Sequence, residues 1–317
     1  MHVDPTPHLI VPYAGCSPNT WLQAESPIEP KNLSKLLRGM KLVATDSGDS
    51  TSLSPPHERV FAKALNLTAG QANTDGLLPL AALEAQSLKS APHQAWGFIT
   101  LCHWSMGREH ATLTDPAVLK ISRGDSYTLL DAMQPYFLTS GITLHYQQPS
   151  RWLAEGAVFA DLPTASIDRA MGRNVDPLLP PSKAIKLLQN EMQMLLYPHP
   201  VNDARAANRQ TSINSFWLSG TGALREAAIA NPAVTVYRGL LPAALADDWA
   251  AFAGAWEQLD ATDLAQLLSL QNSGQIVRIS LCGDANAMTF ETAGRSIFSK
   301  IRTSFSPQSS NDLLRQL

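Results

Sequence analysis

Short apolar runs alternate along the chain with segments of helical periodicity, and this alternation limits the fold more than any other feature. The clearest apolar runs are HLIVPY (8–13), WGFITLC (96–102), the stretch 213–218 and IVRISLC (276–282). Segments 30–40, 183–197 and 243–268 carry apolar residues at helical spacing between these runs. Strands that alternate with helices predict an α/β protein.

Composition bounds the size and the environment of this fold. The chain has 317 residues, of which 44% are hydrophobic, enough for one elaborate domain or two modest ones. A net charge of −3 without a Lys/Arg run argues against nucleic-acid binding. No apolar stretch approaches the ~18 residues of a membrane span, and the N-terminal run predicts a strand rather than a signal peptide.

The cysteines and the middle of the chain give two further predictions. Cys16, Cys102 and Cys282 lie far apart and form no CxxC motif, which suits a reducing cytoplasm. The run from about 70 to 200 is predicted to be a second domain between two halves of a core. We therefore assign residues 1–70 and 206–317 to the core and residues 71–205 to an inserted substrate-type domain.

The ends of the predicted strands are the first candidates for a site. Ligands gather at the carboxyl ends of the strands of a parallel sheet. Polar groups follow four predicted strands, at residues 13–17, 102–103, 219–222 and 283–284. In the SGTG segment, Gly220 and Gly222 allow backbone N–H groups to approach an anion. A tight turn from strand to helix is the alternative interpretation.

The segment HPVNDAR (199–205) follows a helix that a proline ends. Its Arg205 side chain can bind a phosphate or a carboxylate with two parallel hydrogen bonds. The alternative is a capped turn with Asn202 or Asp203 as the N-cap and Arg205 in solvent. The residue types leave both interpretations open.

Two other polar segments carry potential catalytic or metal-binding groups. In CHWSMGREH (102–110), His103, Glu109 and His110 offer metal ligands, although their spacing matches no common zinc pattern. A polar loop with a packed Trp104 is the alternative that the sequence favours. In DSGDSTSLSPPHE (46–58), Ser54 is a candidate nucleophile and His57 a further catalytic candidate, as is His103. No GxSxG elbow surrounds Ser54, and Ser/Asp/Gly clusters are common in ordinary loops.

Several motifs resemble known families. PKNLSKLL (30–37), WGFITL (96–101), HATLTDPAVL (110–119), HPVNDAR (199–205), INSFWLSGTG (213–222) and GQIVRISLCGDANA (274–287) resemble archaeal-type cofactor-independent phosphoglycerate mutases of the alkaline phosphatase superfamily. A closer resemblance is to the proteobacterial RpfE-type regulatory proteins. It rests on SPPHE (54–58), CHWSMGREH (102–110), GRNVDPLLP (172–180), LQNEMQMLLYPHPVNDAR (188–205) and NSFWLSGTG (214–222).

The resemblance implies an alkaline-phosphatase-like core sheet flanked by helices, with an inserted α+β domain. The mutase reaction requires two divalent metals, such as Mn, Mg or Zn, and a serine that accepts the phosphoryl group. Here the first strand is followed by Pro12 and Tyr13, where the mutases have a carboxylate, and Asp284 is followed by Ala285 instead of His. No histidine follows His199 in the chain. We therefore expect a pseudoenzyme with no cofactor and no metal.

Ligand recognition requires arginines and N–H groups rather than a metal. The resemblance implies a ligand site from the following residues: Arg108, Arg151, Arg173, His199, Asn202, Arg205, Asn214, Gly220 and Gly222.

Three functional hypotheses follow. The first is a regulatory protein that binds a small phosphorylated or carboxylate ligand. The second is a metal-dependent phosphoglycerate mutase or phosphoesterase with a rearranged site built from His57, His103, His199, Glu109 and His110. The third is a protein-interaction module that uses the polar LQNEMQ helix (188–193).

Overall fold

A computed structural model describes residues 6–15, 28–68, 74–88, 94–108, 110–225, 231–293 and 313–317. The chain divides into two compact units. The first unit comprises Met1–Thr51, Pro55–Leu65 and Ala230–Leu317, and the second comprises Ser52–Ser54 and Asn66–Ile229. Both units contain a sheet with helices packed against it, so the predicted α/β class is confirmed.

The strands and helices have the following bounds. The strands are β1 (His8–Val11), β2 (Met40–Ser47), β3 (Ala95–Cys102), β4 (Trp104–Met106), β5 (Ala111–Leu113), β6 (Thr143–Gln148), β7 (Arg151–Glu155), β8 (Ser215–Ala223), β9 (Val234–Val236), β10 (Arg278–Cys282) and β11 (Asn286–Thr292). The α-helices are α1 (Lys31–Arg38), α2 (Pro56–Ala64), α3 (Leu80–Ala85), α4 (Arg123–Thr139), α5 (Ile167–Ala170), α6 (Lys183–Leu196), α7 (Pro200–Ala207), α8 (Leu241–Leu245), α9 (Trp249–Leu259) and α10 (Ala265–Asn272). A π-helical turn, Asp260–Leu264, joins α9 to α10.

The sheet of the first unit has the strand order β2-β11-β10-β1-β9. β1 runs parallel to β9 and β10, whereas β11 is antiparallel to both β10 and β2. Side chains alternate between the two faces of a strand. In β1, Leu9 and Val11 accordingly join a core with Leu36 and Trp256, whereas Ile10 packs with Val60 of α2. Helices therefore cover both faces of this sheet.

The sheet of the second unit has the order β6-β7-β3-β8, and every neighbouring pair is antiparallel. Its main core packs strand residues such as Ile99 and Phe216 against Leu129 of α4 and Met192 of α6. β4 and β5 form a separate hairpin. Because β3 and β8 run in opposite directions, the segments after them lie at opposite edges of the sheet. The strand-end prediction for residues 102–103 and 219–222 assumes parallel strands, which β3 and β8 are not.

β8 differs from its prediction in length and in its domain. The sequence ends this strand at residue 218 and predicts a turn at SGTG, but β8 continues to Ala223 beside β3. Phe98 pairs with Ser219 and Trp96 with Gly222, so Gly220 and Thr221 bulge opposite Gly97. β8 belongs to the second unit, which extends to Ile229. The sequence instead predicts that the core domain resumes at residue 206.

Among the described residues, the helices are too short or too polar to cross a bilayer.

Candidate functional site

The parallel strands of the first unit place three segments at one edge of its sheet. Val11 is level with Leu281, and Ile10 is level with Val236. Residues 12–15, 237–238 and 283–284 therefore all follow carboxyl strand ends, where α/β proteins bind ligands. We call Tyr13, His57, Arg59, Arg238 and Asp284 the carboxyl-edge group. Two of these residues, Tyr13 and Asp284, belong to predicted strand ends.

Tyr13 has an unusual backbone conformation directly after β1. Its φ is +52°, in the left-handed region, and its side chain is only 6% exposed. A bulky residue in this region costs of order 1–3 kcal/mol, and such strain concentrates at functional sites. The Tyr13 ring packs on the His57 ring, with 5.9 Å between the centroids and 49° between the planes. An aromatic pair thus fills the position directly after the first strand.

His57 brings the start of α2 to this edge. It is the second residue of α2 and is buried. The first turn of a helix carries a partial positive charge because its N–H groups point outward along the axis. The contact between His57 and Tyr13 therefore places the positive end of α2 beside the end of β1.

Arg59 ties α2 to two parts of the sheet. Its Nε donates to Asp46 Oδ1 of β2 at 2.7 Å, and its Nη2 donates to the Ala285 carbonyl oxygen at 3.0 Å. The charge of Asp46 is therefore neutralised by a partly buried ion pair. Arg59 and Arg238 were not predicted from the sequence. The signal for Arg59 is its position directly after SPPHE, and that for Arg238 is its position after a short strand.

The two-metal cage that the resemblance implies does not fit this edge. Divalent metals in such cages require several carboxylate and histidine ligands. The residues after β1 are Pro12 and Tyr13, Asp46 is bound by Arg59, and Asp284 is followed by Ala285. Among the described residues of this edge, His57, Glu58 and Asp284 remain as potential ligands, fewer than two ions require.

Asn202, a predicted ligand-binding residue of the second unit, holds the loop between α7 and β8. Its amide nitrogen donates to the carbonyl oxygens of Leu196 at 2.7 Å and Ile213 at 2.8 Å. Its amide oxygen accepts the N–H of Ile213 at 2.8 Å. These contacts bury the side chain and bind it to the main chain.

Arg205 holds the same loop between α7 and β8. Its Nε donates to the Thr211 carbonyl oxygen at 2.8 Å, and its Nη2 donates to that of Leu119 at 2.6 Å. The side chain is 2% exposed. Burial lowers the pKa of its guanidinium, and the charge of Asp125 acts in the opposite direction. The arginine is thus engaged by main-chain oxygens, and its role as an anion ligand stays a prediction.

His103 and Asn214 complete this arrangement. His103 Nδ1 lies 2.9 Å from the Ser212 carbonyl oxygen. Asn214 accepts the N–H of Trp104 at 2.7 Å and donates to the Trp104 carbonyl oxygen at 3.0 Å. We call Asn202, Arg205, His103 and Asn214 the loop clamp, because the first three bind the main chain of residues 211–213 and Asn214, from the same loop, binds that of Trp104.

The other residues of HPVNDAR and LQNEMQ also have structural contacts. The N-cap of α7 is His199, whose Nδ1 accepts the N–H of Val201 at 3.2 Å, so the predicted N-cap at Asn202 or Asp203 is wrong. In α6, Leu188, Gln189 and Met192 are buried, and the Gln189 amide donates to the Phe216 carbonyl oxygen at 3.5 Å. Half of the LQNEMQ segment therefore faces the core of its own unit.

Three further candidates lie on β7 and on the β4–β5 hairpin. Arg151 forms an ion pair with Glu84 at 2.8 Å and stacks over the Phe98 ring, 4.2 Å from its centroid. Arg108 and His110 are exposed on the hairpin loop, and Glu109 between them lies outside the described residues. Among the described residues, Arg151 is engaged by Glu84 and Phe98, and Arg108 and His110 lie on a separate hairpin, so these candidates form no common ligand position.

Ser54, Arg173, Gly220 and Gly222 are the remaining predicted site residues. Ser54 is buried. Its main-chain N–H donates to Asp75 Oδ1 at 2.9 Å, and its Oγ accepts the N–H of Gly76 at 2.8 Å. Arg173 is half-buried beyond α5. An added Cβ would lie 2.8 Å from Phe98 at Gly220 and 3.1 Å from Pro79 at Gly222. The two glycines therefore serve close packing of the β8 bulge and not a strand-to-helix turn.

Comparison with known proteins gives remote similarities. No protein-family model matches the chain, and no curated protein matches it significantly. A cofactor-independent phosphoglycerate mutase from Thermoplasma acidophilum DSM 1728 is 14% identical, with 92% of this chain and 90% of that chain covered and a TM-score of 0.35. The PH0037 protein from Pyrococcus horikoshii is 12% identical, with coverages of 92% and 88% and a TM-score of 0.41.

These similarities are too low to support a conclusion about activity. The mixed α/β class follows from the strands and helices themselves, and the alkaline-phosphatase-like core stays a prediction. The resemblance to RpfE-type regulatory proteins stays a prediction, as does the cytoplasmic location.

Proposed function

We propose that this protein binds a small phosphorylated ligand at the carboxyl edge of the first unit and does not transfer the phosphoryl group through a two-metal cage. It would thus act as a pseudoenzyme related to the phosphoglycerate mutases. Such a role agrees with the regulatory function that the resemblance to RpfE-type proteins implies.

Tyr13 is the observation that carries this proposal. It is a buried aromatic residue in a strained backbone conformation at the point where the mutases have a metal-binding carboxylate. Strain persists only where the surrounding structure holds it in place, and it concentrates at sites of function. An edge that keeps a strained, well-packed residue but lacks the carboxylate supports binding without metal chemistry.

The charges at this edge favour an anion. The positive end of α2 lies beside Tyr13, and a phosphate is stabilised at such a helix terminus. Arg238 is exposed and follows β9 at the same edge. We assign this exposed arginine to the ligand, because a guanidinium can bind a phosphate with two parallel hydrogen bonds.

Titration calorimetry with 3-phosphoglycerate, and with inorganic phosphate as a second probe, tests this assignment in the presence of EDTA. A hydrogen bond to a charged group contributes about 1.5–3 kcal/mol, so Arg238→Ala is expected to raise the Kd about tenfold or more. Arg38→Ala, which removes an exposed arginine from the last turn of α1, is the matched control and leaves the Kd unchanged. Absent binding, or equal binding by both variants, contradicts the proposal.

A metal-dependent phosphotransferase is the second candidate, and the adjacent His57 and Glu58 favour it. Both lie in the first turn of α2 at the same edge and offer one nitrogen and one carboxylate donor. Metal analysis of the purified protein, with a mutase assay in added Mn²⁺, separates the two candidates. Stoichiometric metal and turnover that are both lost in Glu58→Gln would establish the enzyme.

A further inference from the structure

The strand β2 lies at the end of the sheet order in the first unit. It has eight residues and pairs with β11 on one side, and among the described residues no strand pairs with its other side. Leu42 and Val43 near its centre are 50% and 43% exposed. An exposed edge strand of this length presents unpaired N–H and C=O groups to another strand.

A bulge changes which side chains of β2 share a face. Leu42 pairs with Phe290 and Ala44 with Thr289, so Val43 is the extra residue. Lys41 is level with Glu291, and Asp46 is level with Ala287. Because those two β11 residues are four apart, Lys41 and Asp46 point to the same face. In a regular strand they would point to opposite faces.

This arrangement makes β2 complementary to itself. When two identical strands pair around a twofold axis, one residue faces its own copy, and directly opposite side chains point to the same face. Val43 bulges out of the pairing with β11 and is not counted as a pairing position. Ala44 is then two pairing positions from Lys41 on one side and two from Asp46 on the other. Placing Ala44 opposite Ala44 therefore puts Lys41 of each copy opposite Asp46 of the other.

We propose that β2 pairs antiparallel with the β2 of a second copy of this chain, with the twofold axis at Ala44. Lys41, which is 56% exposed beside Glu291, and Asp46, which also binds Arg59, set this register, since opposite charges favour each other across neighbouring strands. Main-chain hydrogen bonds supply the pairing itself, as in other complexes that extend a sheet at its edge. The inference does not depend on the ligand proposed above.

Cysteine cross-linking tests the register directly. Residues directly opposite in an antiparallel pair have Cα atoms about 4.5–5.5 Å apart, which is within reach of a disulfide. In a Cys16→Ser background, Ala44→Cys is expected to form a covalent dimer on mild oxidation, reversed by a reductant. Thr45→Cys is the control, because the register places it opposite Leu42. Cys102 and Cys282 are buried and do not compete.

Charge exchange tests the two ion pairs by sedimentation velocity. Lys41→Asp places two carboxylates opposite each other, and Asp46→Lys places two ammonium groups opposite each other, so each variant alone should be monomeric. An equimolar mixture of the two variants should restore the dimer. Lys35→Asp makes the same charge change on the exposed face of α1 and should remain dimeric. Because Asp46→Lys also removes the contact with Arg59, a thermal melt checks its fold.

The outcomes are distinct. Dimers of the wild type and of Lys35→Asp, a self-cross-link at residue 44 and recovery in the mixture support the pairing. A wild-type chain that stays monomeric up to its solubility limit overturns it. So does Ala44→Cys that cross-links no better than Thr45→Cys.

Discussion

Protonation of His8 should destabilise the first unit as the pH falls. His8 lies in β1, is 6% exposed, and its Nε2 is 2.8 Å from Ser280 Oγ, which is 2.7 Å from Thr289 Oγ1. Burial, followed by the charge of Arg278, lowers the pKa of His8 from 6.5 to about 4. The neutral imidazole is therefore the form that the folded sheet accepts.

The size of the effect follows from this pKa. The difference between 6.5 and about 4 corresponds to about 3 kcal/mol in the free energy of unfolding. The unfolded chain binds the proton more readily, so the stability is complete above pH 6.5 and is lost as the pH falls towards 4. At pH 5 about 2 kcal/mol should already be lost.

Urea unfolding at about pH 7.5 and at about pH 5, followed by circular dichroism, measures this loss. The reference is His8→Gln, which stays neutral at both values and can keep a hydrogen bond to Ser280. All other titrating groups are common to the two proteins, so the difference between their pH dependences isolates His8. Wild-type protein should lose about 2 kcal/mol more than the variant between the two conditions. Equal losses would refute the argument.

Two further substitutions test the loop clamp and the β8 bulge by urea unfolding. Asn202→Ala removes three buried hydrogen bonds and should lower the free energy of unfolding by about 1–3 kcal/mol or more. Asn208→Ala, which removes an exposed contact in the same segment, should change it little, and similar losses would contradict the clamp. Gly220→Ala meets Phe98 at 2.8 Å with φ at +63° and should cost more than Gly141→Ala, where φ is +70° but no atom lies within 4 Å. Equal costs would show that packing at the bulge is unimportant.

The sequence predicts well those elements whose side chains are buried. β1, β3 and β10 are runs of apolar residues, and α6 shows helical spacing, so the hydrophobic pattern reveals them. β2 was missed because it is an edge strand whose apolar residues, Leu42 and Val43, point largely to solvent. The strand therefore has neither a buried run nor a regular alternation, and its bulge breaks the period further.

Strand direction limits what the sequence can say about the site. The strand-end argument identifies Tyr13 and Asp284 because β1 and β10 are parallel neighbours. It fails for His103 and for Gly220 because β3 and β8 are antiparallel, and no local pattern reveals that direction. Asp46 begins the polar segment 46–58 and Arg59 directly follows it, but their residue types do not show that they pair, so only the fold reveals the contact.

The HPVNDAR segment shows a second limit. Asn and Arg side chains that bind a ligand offer the same donors as those that bind the main chain. The residue types at Asn202 and Arg205 therefore allow both roles, and the sequence analysis left both open. The structure engages both side chains with carbonyl oxygens of neighbouring segments.

Phosphorus-31 NMR of 3-phosphoglycerate, with the purified protein in EDTA and then with added Mg²⁺, tests the central claim most directly. Binding shifts or broadens the phosphate signal, and mutase turnover produces a separate 2-phosphoglycerate signal. The account predicts a saturable shift in EDTA that Arg238→Ala weakens, and no product signal after Mg²⁺ is added. Product formation that depends on the metal, or a signal that the protein leaves unchanged, would contradict it.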